Sequence, residues 1–221
     1  MDLTGFDWGT SNEWYRTEIS REFTDNIYFK YFDVNEGDIV VDLGASIGPF
    51  AYAIKNKNPK HIYCVEPSLE QLPTLSNNIQ GLNHTIIPKG ISNKDGVDTF
   101  EIYGNHILKA QAESISFQTL LKENNIDRID FLKTDCEGGE YSIFTLDNFC
   151  WLKDNLGVAA GEWHLSTPEL KQQFRVFRDV FLRLFPNHKV YSVNGVDIKW
   201  DLWNEHFIEY YNEVIIYIDN R

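Results

Sequence analysis

One stretch of the chain, residues 39–50 with the sequence IVVDLGASIGPF, constrains the fold more than any other. Four apolar residues of high β propensity surround one acid and lead directly into Gly44 and Gly48. An apolar run of this length, bounded by glycines, is typical of a buried central strand of a sheet. Glycines at that point let the chain turn tightly and bring backbone N–H groups close to a ligand. The stretch therefore predicts a ligand-binding loop after a central strand.

A second acid supports this prediction. Glu66 ends the next apolar run, HIYCVE, 22 residues after Gly44. Doubly wound α/β sheets place the carboxylate that binds ribose hydroxyls at about that distance, so we expect a cofactor that contains adenosine. A nicotinamide dinucleotide fits poorly, because its loop has the pattern G-x-G-x-x-G and Ser46 occupies the position of the middle glycine.

From residue 39 onward, predicted strands and helices alternate, which indicates an α/β fold with a mostly parallel sheet. The predicted strands are residues 39–43, 61–65, 84–88, 97–103, 129–134, 156–162, 189–200 and 213–218. The predicted helices are residues 47–56, 68–80, 116–125, 138–149 and 168–185. The segment 189–200 is expected to form a hairpin around Asn194 and Gly195. Residues 1–35 are predicted to be a lead-in that covers the cofactor side of the main domain, 36–221.

Length and charge exclude several functions. A chain of 221 residues can form one large domain, either on its own or as part of a longer polypeptide. Its net charge of −13, without any basic cluster, argues against a nucleic-acid substrate, because such binding depends on Lys and Arg neutralising phosphates. The three cysteines do not have the spacing of metal ligands, and we recognise no targeting or membrane segment in the sequence. These features predict a soluble cytoplasmic protein with no membrane partner.

Two motifs resemble those of a known family. The pattern D-x-G-x-S-x-G at residues 42–48 resembles the first motif of S-adenosylmethionine-dependent methyltransferases. Residues 129–144 resemble the K-x-D-x-E-G-x-E signature of the FkbM family of S-adenosylmethionine-dependent O-methyltransferases. The matching residues are Lys133, Asp135, Glu137, Gly138 and Glu140. The resemblance covers residues 36–146, with Cys136 and Gly139 as modest departures from the family pattern.

The resemblance implies a Rossmann-like class I methyltransferase fold, with a mostly parallel seven-stranded sheet, a late antiparallel strand and helices on both faces. It also implies S-adenosyl-L-methionine as the cofactor and a hydroxyl oxygen as the methyl acceptor. Glu66 would then bind the ribose hydroxyls, and an acid near the loop suits a cationic cofactor. The other residues that the resemblance places at the cofactor are Asp42, Gly44, Ala45, Ser46, Gly48, Ser68, Gly90 and Ser92.

Four side chains at two strand ends are candidates for catalysis: Asp135 and Glu137 on one, Glu162 and His164 on the next. Residues two apart in an extended segment share a face, so each pair can point into one cleft. In one mechanism His164 takes the proton of the hydroxyl, oriented by Glu137 or Glu162. In the other, Asp135, Glu162 and His164 hold a divalent metal such as Mg²⁺ or Mn²⁺. Glu137 and Glu140 also suit a helix N-terminus, where acids are favoured whatever the function.

Three functions remain open from the sequence. The first is O-methylation of a carbohydrate hydroxyl, for instance on a deoxyhexose such as rhamnose, with Trp163, Trp200 and Trp203 near the cleft. The second is O-methylation of a polyketide or another small-molecule natural product, and the third is a non-catalytic interaction module. A homodimer and a glycosyltransferase, fused or separate, are partners compatible with the sequence.

Overall fold

The computed structural model describes residues 3–102 and 106–221, and these form ten strands and eight α-helices. The strands are β1 (Ile39–Leu43), β2 (His61–Val65), β3 (His84–Ile87), β4 (Gly90–Ser92), β5 (Gly96–Ile102), β6 (Leu108–Ser116), β7 (Ile129–Thr134), β8 (Leu156–His164), β9 (His188–Ser192) and β10 (Glu213–Asp219). The helices are α1 (Glu13–Thr24), α2 (Pro49–Ala53), α3 (Leu72–Asn78), α4 (Phe117–Glu123), α5 (Glu140–Ile143), α6 (Leu146–Asn155), α7 (Pro168–Val176) and α8 (Glu205–Tyr210).

Seven of the strands form one sheet in the order β3-β2-β1-β7-β8-β10-β9. The first five of these run parallel, and β10 is antiparallel to both of its neighbours. Strand β1 is buried along its whole length, as expected for an apolar run at the centre of a sheet. The Rossmann-like class I architecture expected from the sequence, with its late antiparallel strand, is therefore confirmed.

Helices cover both faces of this sheet. One core contains apolar side chains of α4, α6 and α7, and the other contains those of α1, α2 and α3. In the residues that the structure describes, no helix combines the length and apolar character needed to cross a bilayer. The sheet thus lies between two helical layers, and a functional site can form at the ends of its strands.

Two predicted helices differ from the structure in their continuity. The predicted helix 138–149 is divided at Phe144, which leaves the helical conformation so that its ring packs into the core against Trp163. The predicted helix 168–185 is helical throughout, but after α7 it continues as one π-helical turn (Phe177–Phe181) and one 3₁₀ turn (Leu182–Leu184). Tertiary packing decides these details, and periodicity alone does not contain them.

The predicted hairpin over 189–200 is wrong in its second half. After β9 the chain turns at Gly195, and only Asp197 pairs back with Tyr191 before a 3₁₀ turn begins. A separate sheet, in the order β4-β6-β5, was not predicted. Strand β6 has few β-branched residues in its first half, which explains why propensity does not reveal it. Residue 103, the end of the predicted strand 97–103, lies outside the described residues.

Candidate functional site

A cavity of about 390 Å³ lies at the carboxyl ends of the parallel strands. Ligands of open α/β sheets bind at this edge. Eight of the residues selected from the sequence line it: Gly44, Ser46, Gly90, Glu66, Asp135, Glu137, Glu162 and His164. The structure therefore brings the predicted cofactor loop and the predicted catalytic acids into one cavity.

The loop after β1 has a backbone that needs glycine at its start. Gly44 has a φ of +74°, and a Cβ there would lie 1.7 Å from the backbone oxygen of Asp135. Ser46 has a φ of +52°, which turns its backbone N–H toward Glu66. The loop can therefore pass directly beside the end of β7, so that the two halves of the site lie next to each other.

Glu66 holds the loop and faces the cavity. Its Oε2 accepts a hydrogen bond from the backbone N–H of Ser46 at 2.8 Å, and its Oε1 accepts one from the N–H of Ser68 at 2.7 Å. Each carboxylate oxygen can accept more than one hydrogen bond, so both oxygens keep capacity for the hydroxyls of a ligand. Burial raises the pKa of Glu66 to about 7. The carboxylate is thus preorganised for the ribose role expected from the sequence.

Helix α1 closes the end of the cavity beside the loop after β1. The hydroxyl of Tyr15 is hydrogen-bonded to the side-chain oxygen of Ser46, and Gln71 Nε2 donates to that hydroxyl at 3.4 Å. Tyr15 lines the cavity and is almost fully buried. Sequence reasoning did not select this residue, because nothing in residues 1–35 resembles a motif. The only available signal was the aromatic character of the lead-in.

We expect Tyr15→Phe to weaken cofactor binding about fivefold, since one net hydrogen bond contributes roughly 1 kcal/mol. The aromatic ring stays in place, so the fold should be unchanged. Isothermal titration with S-adenosylhomocysteine measures the affinity, and Tyr52→Phe, which removes a hydroxyl bonded to Thr4 outside the cavity, is the matched control. Equal affinities for the two variants would show that Tyr15 has no role at the loop.

An ion pair lies beneath the loop. Asp42 is fully buried, and its Oδ1 lies 3.2 Å from Lys133 Nζ, which also donates to the backbone oxygen of Gly44 at 2.7 Å. Burial opposes the charge on Lys133, but Asp42 and Asp135 outweigh it and raise the pKa of the ammonium. This pair fixes the end of β1 against β7. Asp42 supports the loop from below and does not line the cavity.

His164 lies at the centre of the catalytic end. Its Nδ1 is 2.9 Å from Glu140 Oε1, and because a carboxylate accepts, this nitrogen carries the hydrogen. Its Nε2 faces Glu137 Oε2 at 3.3 Å, with Asp135 and Glu162 at 3.9 and 4.0 Å. Burial opposes the imidazolium, but Glu140 and Glu137 together hold the pKa of His164 well above its usual range. The ring is thus oriented with one nitrogen toward the cavity.

Backbone geometry aims Glu137 at this ring. Glu137 has a φ of +53°, a conformation that costs a non-glycine residue roughly 1 kcal/mol or more and that clusters at functional sites. The two glycines that follow it pack closely, since a Cβ on Gly139 would lie 2.5 Å from the side chain of Ile91. The small residues of the motif therefore let the acid leave β7 in this direction.

A tyrosine connects Asp135 with helix α1. The Tyr28 hydroxyl lies 2.8 Å from Asp135 Oδ2 and 2.9 Å from Glu22 Oε2. A phenol has one hydrogen and can donate to only one of the two carboxylates. Burial and the charge of Asp135 raise the pKa of Glu22 to about 8, so Glu22 carries the second hydrogen at neutral pH. Neither Glu22 nor Tyr28 was found from the sequence, because only tertiary contacts bring them here.

Three residues of this cluster have the spacing of metal ligands. One ligand atom each of Asp135, Glu162 and His164 lie within 4.8 Å of one another. Glu140 holds the other nitrogen of His164, an arrangement that metal-binding histidines commonly have. These residues fit a divalent ion, and they equally fit a proton-transfer site.

Other selected residues lie away from the cavity lining. Ala45 and Ser68 are buried without lining the cavity, Gly48 packs against Leu75, and the hydroxyl of Ser92 donates to Asp98. Their cofactor contacts stay predictions.

The tryptophans placed near the cleft need a correction. Trp163 is fully buried and stacks on Phe177 in the core, so it cannot contact a sugar. Trp200 and Trp203 do not line the cavity either. Among the residues that the structure describes, the Trp, Tyr and Phe side chains that line it are Trp14, Tyr15 and Phe100.

Comparison with known proteins agrees with this geometry. Fibrillarin from Aeropyrum pernix, solved with natively bound S-adenosyl-L-methionine, aligns with a TM-score of 0.51 at 14% identity, covering 92% of this chain and 75% of that one. A protein from Listeria monocytogenes, proposed to be an S-adenosylmethionine-dependent methyltransferase, aligns with a TM-score of 0.52 at 10% identity, covering 92% and 98%. At such identities the likeness concerns the fold alone.

Among curated proteins no significant sequence match is found. The methyltransferase FkbM domain matches residues 42–185, well over half of the sequence, and the chain therefore belongs to the FkbM methyltransferase family.

Proposed function

We propose that the protein transfers a methyl group from S-adenosyl-L-methionine to a hydroxyl of a sugar or glycan, such as a deoxyhexose like rhamnose. The observation that carries this proposal is the single cavity in which Glu66 and the glycine loop meet the cluster around His164. The loop and Glu66 suit an adenosine-containing cofactor. The acidic side chains around His164 would attract the positively charged sulfonium of this cofactor.

The reaction is an in-line displacement at the methyl carbon, so the cavity must hold the hydroxyl oxygen and the sulfonium close and aligned. The oxygen–carbon bond forms as the carbon–sulfur bond breaks, and the cofactor leaves as a neutral thioether. A hydroxyl, whose pKa lies far above neutral as that of water does, needs a base to become nucleophilic. His164 Nε2 and Asp135 face the cavity, and either can take this proton.

His164 must be neutral to act as the base. Glu140 and Glu137 favour its charged form, as described above. A nearby positive charge disfavours imidazolium, so binding of the sulfonium lowers the pKa of His164. Cofactor binding thus favours the neutral form of His164, while Glu140 keeps its Nε2 facing the cavity.

A divalent ion, if bound, would be held by Asp135, Glu162 and His164, and would act as a Lewis acid that lowers the pKa of the hydroxyl. We expect methyl transfer to survive exhaustive treatment with EDTA, because proton transfer to His164 or Asp135 needs no ion. The assay compares initial rates before and after chelation. A loss of activity that Mg²⁺ or Mn²⁺ restores would instead assign an ion to these three residues.

Transfer of labelled methyl groups to an acceptor panel tests the function. The panel contains deoxyhexose glycosides, other hexosides and macrolides with and without their sugars. We expect methylation of a sugar hydroxyl, located by mass spectrometry of the product. Absence of transfer to every sugar would refute the carbohydrate assignment.

One observation favours a second candidate, a polyketide or another natural product. Phe100, Ile102 and Ile107 line the cavity and give one wall an apolar character. Methylation of the sugar-free macrolides but not of the glycosides would identify this function. A non-catalytic interaction module would bind the cofactor and methylate nothing, and the cluster around His164 argues against it.

The charge of the cavity also bears on partners. Its many carboxylates repel phosphates, which supports an acceptor other than a nucleic acid. Cys64, Cys136 and Cys150 are free thiols, which supports a cytoplasmic reaction. A glycosyltransferase that makes the acceptor is a compatible partner, as is a second copy of the chain.

A further inference from the structure

The catalytic cavity contains far more negative than positive groups. Besides Glu22, which carries a hydrogen, the acidic side chains that line it are Glu18, Glu66, Glu101, Asp135, Glu137, Glu162 and Glu213. The only basic side chains among its described lining residues are Arg21, Lys133 and His164. The cofactor adds a sulfonium and an amino acid end with opposite charges, so it brings a single net positive charge. Part of the negative charge therefore remains unbalanced after the cofactor binds.

The basic groups are already engaged. Lys133 pairs with Asp42 at 3.2 Å beneath the loop, and Arg21 pairs with Glu18 at 3.2 Å at the surface. His164 is held between Glu140 and Glu137. Neither Lys133 nor Arg21 forms an ion pair with Glu162 or Glu213 in the described part of the chain.

Glu162 is the acid most in need of a partner. It is 8% exposed and lines the cavity, and within the described ranges no group donates a hydrogen bond to its side chain. The nearest basic atom, His164 Nε2, is 4.0 Å away, beyond hydrogen-bond distance. A buried carboxylate is costly unless it is paired, so a positively charged donor that enters the cavity would stabilise the charged form of Glu162.

Glu213 provides a second carboxylate beside it. Strand β10 is antiparallel to β8, with Glu213 opposite His164 and Ile215 opposite Glu162. Directly opposed residues and residues two apart project on the same face of a sheet, so Glu213 and Glu162 line the same wall. In residues 3–102 and 106–221, no Lys or Arg forms an ion pair with either carboxylate.

We propose that the methyl acceptor is cationic, an amino sugar or another amine-bearing alcohol whose ammonium group binds to Glu162 and Glu213 while its hydroxyl faces His164. This inference rests on the proposed function and narrows its substrate class. An ammonium has three N–H donors, and two carboxylates at one wall can accept them. The same wall repels phosphorylated sugars and sugar acids.

Matched acceptors test this inference. Each set contains an amino-deoxyhexoside, its N-acetyl derivative and the corresponding neutral hydroxy-sugar, so that size and hydroxyl pattern stay similar. We expect kcat/KM for the amine to exceed that of its two partners at least tenfold. In Glu213→Gln this preference ratio should fall about tenfold, whereas Glu36→Gln, an exposed acid at the opposite edge of the sheet, should keep it.

A binding measurement keeps the inference separate from the proposed function. Calorimetry of the protein loaded with S-adenosylhomocysteine measures the affinity for each member of a set, and thermal melting confirms that Glu213→Gln is folded. Neutral sugars methylated or bound as well as the amines would overturn the inference and leave O-methylation of sugars intact. Amines that bind selectively through Glu213 without being methylated would support the ammonium site at this wall, whereas the proposed methyl transfer to them would fail.

The last comparison tests whether a divalent metal ion, and not an ammonium group, binds at these carboxylates. The assays are run in EDTA and again with Mg²⁺, because a divalent ion is the other cation that these acids could hold. An amine preference that is present in EDTA supports the inference. Binding of Mg²⁺ that depends on Glu213 and abolishes the preference would assign the wall to a metal and overturn it.

Discussion

Asp135→Asn should reduce kcat at least about 10³-fold while leaving cofactor affinity within threefold of the unaltered protein. Asp135 is 3.9 Å from His164 Nε2 and accepts a hydrogen bond from Tyr28, so its charge acts on the proton transfer whether it or His164 is the base. General base catalysis commonly contributes 10²–10⁴-fold. Asparagine preserves the volume of the side chain but removes its charge. Single-turnover assays with labelled cofactor measure the chemical step.

The control for this variant is Asp127→Asn, which alters an exposed acid before β7. It should retain full activity and the same melting temperature. A decrease below tenfold in Asp135→Asn, with cofactor binding intact, would contradict a role for Asp135 in proton transfer. A parallel loss of cofactor affinity would place its role at the loop, where Gly44 approaches its backbone oxygen.

Glu66→Ala should weaken binding of S-adenosylhomocysteine about 100-fold. A hydrogen bond to a charged group contributes about 1.5–3 kcal/mol, and the variant loses the acceptor for the ribose hydroxyls. It also leaves the N–H groups of Ser46 and Ser68 without their partner, so the loop is no longer preorganised. Calorimetry measures the affinity directly.

The matched control is Glu70→Ala, an exposed acid four residues further along the chain. Its affinity for the cofactor product should equal that of the unaltered protein, and both variants should retain the circular dichroism spectrum of the fold. Unchanged affinity in Glu66→Ala would contradict the assignment of the ribose to this side chain.

The strands of the main sheet could be predicted because they are locally encoded. Strand β1 is an apolar run bounded by glycines, and its predicted bounds agree with the structure, as do those of β2 and β7. Local periodicity fails where packing decides, as at Phe144, which interrupts a helix to fill the core. It fails equally for β6, whose partners in the small sheet are set by tertiary structure.

The residues of the candidate site also divide into those that the local sequence identifies and those that only the fold brings together. Glu66, Asp135 and Glu162 could be found because parallel strand ends meet at one edge of the sheet. Tyr15, Glu22 and Glu213 could not, since a helix before the first motif and a strand at the end of the chain bring them to the cavity. Their sequence context contains no motif, and only the assembled fold gives them a role. The same limit applies to Trp163, whose side chain is in the core although its neighbours line the site.

The most direct test of this account is a crystal structure of the protein with bound S-adenosylhomocysteine. We expect the ligand to lie across the loop after β1, with its ribose hydroxyls on Glu66 and its sulfur facing Asp135 and His164. A ligand bound outside this cavity, or one whose ribose avoids Glu66, would contradict it.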